Sequence, residues 1–183
     1  MKKSIFSTKT IVATGLGGAL FMVLFMFVKV PSPVPETNLQ LAYAISGFFG
    51  LLFGPVAGGL IAFIGHALSD FLSYGSPWWS WVVASGVAGA IGGVAYLKSK
   101  TDIEQGEFDV KTFVIWNVIA NAVAWVVVAP VLVIVMYAEP VSLVFTQGAV
   151  AFIMDAIVVV VVGGALAFAY AKTKTKEGSL SKK

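Results

Sequence analysis

Long apolar stretches separated by short polar or proline-bearing breaks constrain this chain more than any other feature. Six can be traced, at about residues 10–28, 39–53, 55–73, 78–97, 112–136 and 144–171. A helix that crosses a bilayer needs roughly 20 apolar residues. A membrane barrel is built instead from strands of roughly 10 residues with alternating polarity, which runs of this length do not match. The expected fold is an all-α integral membrane protein of six transmembrane helices, forming one domain over residues 1–183. Composition agrees, since 58% of residues are hydrophobic and only 11% are charged. A soluble domain carries about 25% charged residues.

The breaks are specific. Pro31, Pro33 and Pro35 crowd one connection, where a helix interior cannot continue. Gly54-Pro55 and Gly75-Ser76-Pro77 mark tight turns, Lys98–Lys111 is the longest polar connection, and Glu139-Pro140 separates the last two spans. Met1-Lys2-Lys3 leads into the first span as a signal peptide would, but no small-residue cleavage site follows, so a retained helix is expected. With six spans, eleven of the twelve lysines fall on one side of the membrane, and Lys29 alone falls on the other. By the positive-inside rule both termini are expected in the cytoplasm of a bacterial cell. The basic tail is then a topology anchor near anionic lipid, with no nucleic-acid partner implied.

Polar groups within such spans are costly and tend to mark function. His66 and Asp70 are four residues apart and share a helix face. Asn117, Asn121 and Trp125 repeat at the same interval, as do Gln147, Ala151 and Asp155. At 1.5 Å per residue, His66, Asn121 and Asp155 fall near one mid-membrane layer. Asp70, Trp125 and Gln147 lie outward of it. This is the pattern of a pocket opening outward over a polar floor. Trp78, Trp79 and Trp81 cluster at the outer start of the fourth span; most such residues anchor at the interface, but Trp79 is also a candidate to face a ligand. No lysine or arginine falls inside the spans, so a neutral or weakly basic heteroaromatic ring suits this set better than a carboxylate-rich substrate.

Several chemistries are excluded. The chain has no cysteine and one histidine, so disulfides, thiolate metal sites and poly-histidine sites are ruled out. It carries no P-loop, no His-x-x-x-His and no Gly-x-Ser-x-Gly, and neither a resident metal nor a cofactor is expected. Small residues recur at four-residue spacing in several spans, which lets helices pack closely. The first span shows them around much of one half, Ala13-x-x-x-Gly17 among them, which leaves room for a second protein to dock.

Gly54-Pro55-Val56-Ala57-Gly58 followed by Gly65-His66-Ala67-Leu68-Ser69-Asp70-Phe71 resembles the third-helix signature of S components of energy-coupling factor (ECF) transporters. Tyr74–Trp81 and Tyr170–Lys176 resemble a subfamily grouped with riboflavin-type S components, some of whose members are assigned to hydroxymethylpyrimidine or pyridoxine. The resemblance implies a vitamin-capturing subunit in the plasma membrane that joins an ECF transmembrane coupling subunit and two ATPases. It would topple in the membrane to release its substrate inward. It assigns Ala13 and Gly17 to coupling-subunit docking, in place of the family's Ala-x-x-x-Ala. It makes the loop with Pro31, Pro33, Pro35 and Asn38 a gate. The substrate-binding set expected is His66, Asp70, Trp79, Asn121, Trp125, Gln147 and Asp155. The competing readings are a riboflavin-binding S component, an intramembrane enzyme using His66 and Asp70, and an assembly protein with no ligand.

Overall fold

The structure, a computed structural model, describes residues 7–174. Lys2, Lys3, Lys176, Lys182 and Lys183, used in the orientation argument, lie outside the described residues. Helix α1 (Thr8–Phe27) starts where the Ser7 hydroxyl accepts from the Thr10 amide. A short antiparallel hairpin follows, β1 (Lys29–Pro31) against β2 (Asn38–Gln40), with Val30 opposite Leu39. Helix α2 (Ala42–Phe53) and helix α3 (Pro55–Tyr74) meet at Gly54, whose φ of 93° turns the chain back on itself before proline opens α3. Helices α4 (Trp79–Gly92) and α5 (Val94–Lys98) form one rod. A second rod joins α6 (Val110–Asn121) to α7 (Ala129–Tyr137) through a π-helical segment at Ala122–Val128. A third joins α8 (Val141–Val158) to α9 (Gly164–Lys172) through a π-helical segment at Val159–Gly163.

The protein is therefore an all-α membrane protein with one small hairpin. Among the described residues, five helices are long and apolar enough to cross a membrane, and α2 is a shorter apolar one. The second span was expected from Leu39, but Leu39 and Gln40 belong to β2, where strand pairing and a bond from the Gln40 amide to Asp155 hold them extended. Large apolar side chains cover the outside, including Leu16, Val135 and Val161, as a lipid-facing surface requires.

Helix α2 sits at the centre, packed against α1, α3, α4 and the second π segment. Its 12 residues span about 18 Å, against about 30 Å for the 20-residue α3 to which it is joined. The two share the Gly54 turn at one end. At the other end α2 stops roughly 12 Å short, by the same rise, and the hairpin closes over the space left above it.

The opposite end is tied by glycine. A methyl group on Gly58 would lie 2.5 Å from the Gly89 carbonyl oxygen, and one on Gly89 would press into the Gly58 carbonyl. One on Gly93 would come within 2.7 Å of Pro55 Cα. Backbone thus meets backbone where α2, α3 and α4 cross, which gains dispersion energy that bulkier residues would forfeit. On the same end Glu104 accepts from the Tyr170 hydroxyl at 3.0 Å and pairs with Lys174 at 3.1 Å, with Lys9 at 3.8 Å. Asp109 caps α6. Amide donation from Lys100 and Thr112 holds its carboxyl below the usual range.

Gly89→Ala is expected to lower stability by about 1–3 kcal/mol, the cost of overpacking a closed contact. Gly15→Ala, with nothing within 4 Å of the added carbon, is expected to be neutral or slightly stabilising. Thermal unfolding in detergent compares them, and equal effects would refute the glycine seam.

Candidate functional site

The space above α2 is a cavity of about 520 Å³. Its floor is Tyr43 in the first turn of α2 together with Asp155 of α8. Helix α3 contributes His66, Ser69 and Asp70, the first π segment contributes Trp125, and α8 contributes Asp155. Asn38 and Gln40 roof it from the hairpin, with Lys29, Glu36 and Glu139 nearer the mouth.

Aromatic rings form a continuous wall. Phe25 lies over the His66 ring at 4.2 Å between centroids. Tyr43 meets Trp125 edge to face at 5.2 Å, and Trp125 lies 5.8 Å from Trp81. Trp78 continues the wall to Tyr137 at 5.9 Å. Such a wall grips a flat apolar ring through its faces and edges.

The polar groups are held in a definite order. Ser85 Oγ lies 2.6 Å from His66 Nδ1, 2.8 Å from the Tyr43 hydroxyl and 2.9 Å from the Trp81 carbonyl. Ser85 has one proton to give, and the carbonyl can only accept. All three contacts are satisfied when Ser85 donates to Trp81 while Tyr43 and His66 Nδ1–H donate to Ser85. The imidazole tautomer follows, with Nε2 left facing Asp70 Oδ1 at 3.5 Å. The other Asp70 oxygen accepts from the Trp78 amide at 3.0 Å, which fixes the turn between α3 and α4 over the cavity. Asp155 is 2% exposed and accepts from the Gln40 amide at 3.4 Å, a long bond for so buried a group.

Ser85, His66 and Asp70 have the composition of a catalytic triad but not its function. Ser85 is fully buried, lies outside the cavity lining, and spends its proton on a carbonyl. Among the described residues no three histidines, aspartates or glutamates converge as a metal site.

Four residues expected to touch a ligand, Asp70, Asp155, His66 and Trp125, do line the cavity; three do not. Trp79 is 46% exposed on the outer face, against Phe63, because the helix turns Trp78 and Trp81 inward instead. Asn121 is buried behind the wall. It donates to the Asn117 carbonyl and accepts from Trp125 Nε1 at 2.9 Å, so it orients Trp125. Gln147 donates to the Pro35 carbonyl at 3.0 Å and so holds the hairpin down.

Asn38 lines the cavity, while Pro31, Pro33 and Pro35 shape the hairpin without lining it. Gly17 was expected on a docking face. It is buried against Ile61 and Phe49, and Ala13 is half-buried; the outward face of α1 is Ile11, Val12, Gly15, Leu16 and Leu20. Lys29 lines the mouth, so the cavity is not without a cation. Sequence reasoning missed Tyr43, Gln40 and Phe25. Gln40 carried a signal, as a lone amide at the edge of an apolar run. Tyr43 and Phe25 carried none.

A bundle of bilayer-length helices around one aromatic-walled cavity, with a hairpin for a roof, is the build of a membrane-embedded receptor for a small molecule. Comparison with known proteins makes this particular. Residues 5–172 match the family described as ECF-type riboflavin transporter, S component. A UPF0397 protein of Streptococcus gordonii is 48% identical over 180 residues, covering 97% of this chain and 95% of its own length. A UPF0397 protein of Enterococcus faecalis is 48% identical over 179 residues, covering 96% and 97%. One from Exiguobacterium is 45% identical, covering 97% of both. The chain belongs to the S-component family of ECF transporters, as its motifs suggested. That family consists of substrate-binding transporter subunits, not enzymes, which work with a coupling subunit and ATPases.

Gln147→Ala removes one hydrogen bond from the hairpin, worth about 1 kcal/mol net. Deuterium exchange at the Ser32 and Thr37 amides is expected to rise about fivefold by that figure, with the melting temperature little changed. Unchanged exchange would show that this bond does not hold the hairpin.

Proposed function

We propose that this chain captures a small heteroaromatic vitamin or vitamin precursor from outside the cell, hydroxymethylpyrimidine or pyridoxine, for ATP-driven uptake by its partner subunits. One observation carries the reading: the cavity is walled by aromatic rings and floored by the buried Asp155. Its volume of about 520 Å³ lies within the range of small-molecule sites, roughly 300–1,000 Å³. His66, Asp70, Trp125 and Asp155 contact the substrate in this reading, and the hairpin carrying Asn38 is the gate. The family's description favours riboflavin as a second reading, and a flavin would betray itself by visible absorption of the purified protein.

The same proposal sets orientation. The cavity faces outward, both termini are cytoplasmic, and α2 with the hairpin completes six spans. The chain lacks cysteine, so single cysteines report position cleanly. Ser76→Cys is expected to react with a membrane-impermeant maleimide on intact cells, and Ser99→Cys only after permeabilisation. The reverse pattern would invert the topology.

Native mass spectrometry of the purified subunit is expected to find a retained small heteroaromatic compound. Calorimetry should show Trp125→Ala and Asp155→Asn weakening its binding about tenfold or more, from lost ring contact and lost acceptance. Trp79→Ala should stay within about twofold on the same reasoning. A folded subunit that binds neither proposed compound nor riboflavin would end the reading.

A further inference from the structure

Five polar hydrogens around the deep end of the cavity are already spent on the protein. The Tyr43 hydroxyl and His66 Nδ1–H go to Ser85, by the proton count given above. Trp125 Nε1–H goes to Asn121 Oδ1. The Gln40 amide goes to Asp155 Oδ1, and the Trp78 amide to Asp70 Oδ2. Asp155 keeps acceptor capacity toward the cavity. Asp155 has one weak bond to Oδ1 and no hydrogen bond to Oδ2 among the described residues. His66 Nε2 and Asp70 Oδ1 face each other at 3.5 Å, too far for a well-made hydrogen bond. These groups are 2%, 6% and 5% exposed, and all three line the cavity.

We infer that the floor of this cavity selects ligands by their hydrogen-bond donors, with Asp155 as the principal acceptor, so that its substrates are heteroaromatic rings bearing ring-attached N–H or O–H groups. The physical reason is the cost of mismatch. A ligand that offers only lone pairs to this floor leaves buried acceptors unpaired, and each such group costs about 1–3 kcal/mol. A site built to pair a substrate's polar hydrogen rejects the analogue lacking it far more strongly than an apolar pocket rejects a missing methylene. The aromatic wall does not discriminate in this way, because it holds any flat ring. The wall therefore gives affinity and the floor gives specificity.

This inference rests on the vitamin-capture reading, and the experiment separates the two. Two matched pairs are titrated by calorimetry against the purified full chain: 4-amino-5-hydroxymethyl-2-methylpyrimidine against its analogue with hydrogen in place of the amino group, and pyridoxine against 3-deoxypyridoxine. At least one parent is expected to bind, and loss of its ring-attached donor to weaken binding about 50-fold or more, the scale of an unpaired buried acceptor. Asp155→Asn, which gives the floor a donor, is expected to narrow that gap to within about fivefold, mainly by weakening the parent.

If a parent binds the wild-type chain and its analogue lacking the ring-attached donor binds within threefold, the inference is overturned while the capture reading stands. A gap that persists undiminished in a folded Asp155→Asn variant also overturns it. If neither parent binds the folded wild-type chain, the substrate assignment falls and the inference falls with it. The wild-type comparison requires no variant, so a misfolded Asp155→Asn would not spare the inference from test.

Discussion

Everything functional here depends on one helix being too short. Helix α2 is locked to α3 by the Gly54 turn and runs only 12 residues where its neighbour runs 20. The deficit is about two turns, or roughly 12 Å at helical rise. A cavity in a close-packed bundle needs some such cause, because side chains otherwise interdigitate and fill the interior. Here the cause is covalent and local. The proline-rich segment before α2 cannot continue a helix toward the surface. It forms a hairpin instead, and the volume a longer helix would have filled is left between hairpin and helix.

A hollow in a membrane protein must also settle its polar groups, since lipid offers them no partners. The bundle does this in part by consuming donors. Ser85, which never reaches the cavity, collects hydrogens from Tyr43 and His66 and passes its own to a backbone carbonyl. Asn121 does the same for Trp125, from the π-helical side. The π segment and Gly148 belong to this arrangement, because a methyl on Gly148 would run into the Trp125 carbonyl. That contact fixes how far Trp125 projects. The residues behind the wall, Asn121 and Ser85, thus orient the groups that form it.

Much of this was legible in the sequence. Apolar run length gave the helical membrane fold, because spanning a bilayer fixes length and leaves few alternatives. The pairing of His66 with Asp70 and the ladder through Asn117, Asn121 and Trp125 followed from helical spacing. What could not be read was rotation. Spacing places Trp78, Trp79 and Trp81 near one another, but only packing decides that Trp79 faces out. The same limit misplaced Gly17, because a small residue suits an internal seam as well as an external dock. Tyr43 was hidden for another reason. It lies in an apolar run, and its role arises from where α2 ends, which the sequence shows only through Gln40.

The two ends of the molecule differ in how they are held, and that difference bears on a subunit that must take up a ligand and later give it away. At the lysine-rich end, backbone packs on backbone through Gly58, Gly89 and Gly93, and Glu104 ties α9 to the loop before α6. Contacts of that kind cannot loosen a little at a time, since interfaces packed this closely do not deform continuously. At the cavity end the hairpin is only three residues paired with three, and it is fastened to the helices by Gln147 to the Pro35 carbonyl and by the Gln40 amide to Asp155. Two such hydrogen bonds, one of them long, are worth at most on the order of 2 kcal/mol together. The cavity thus lies at the end closed by a short hairpin. One of its two fastenings, Asp155, is also the group a bound ligand would engage, so a ligand's hold on the floor and the closure of the roof act on the same carboxylate.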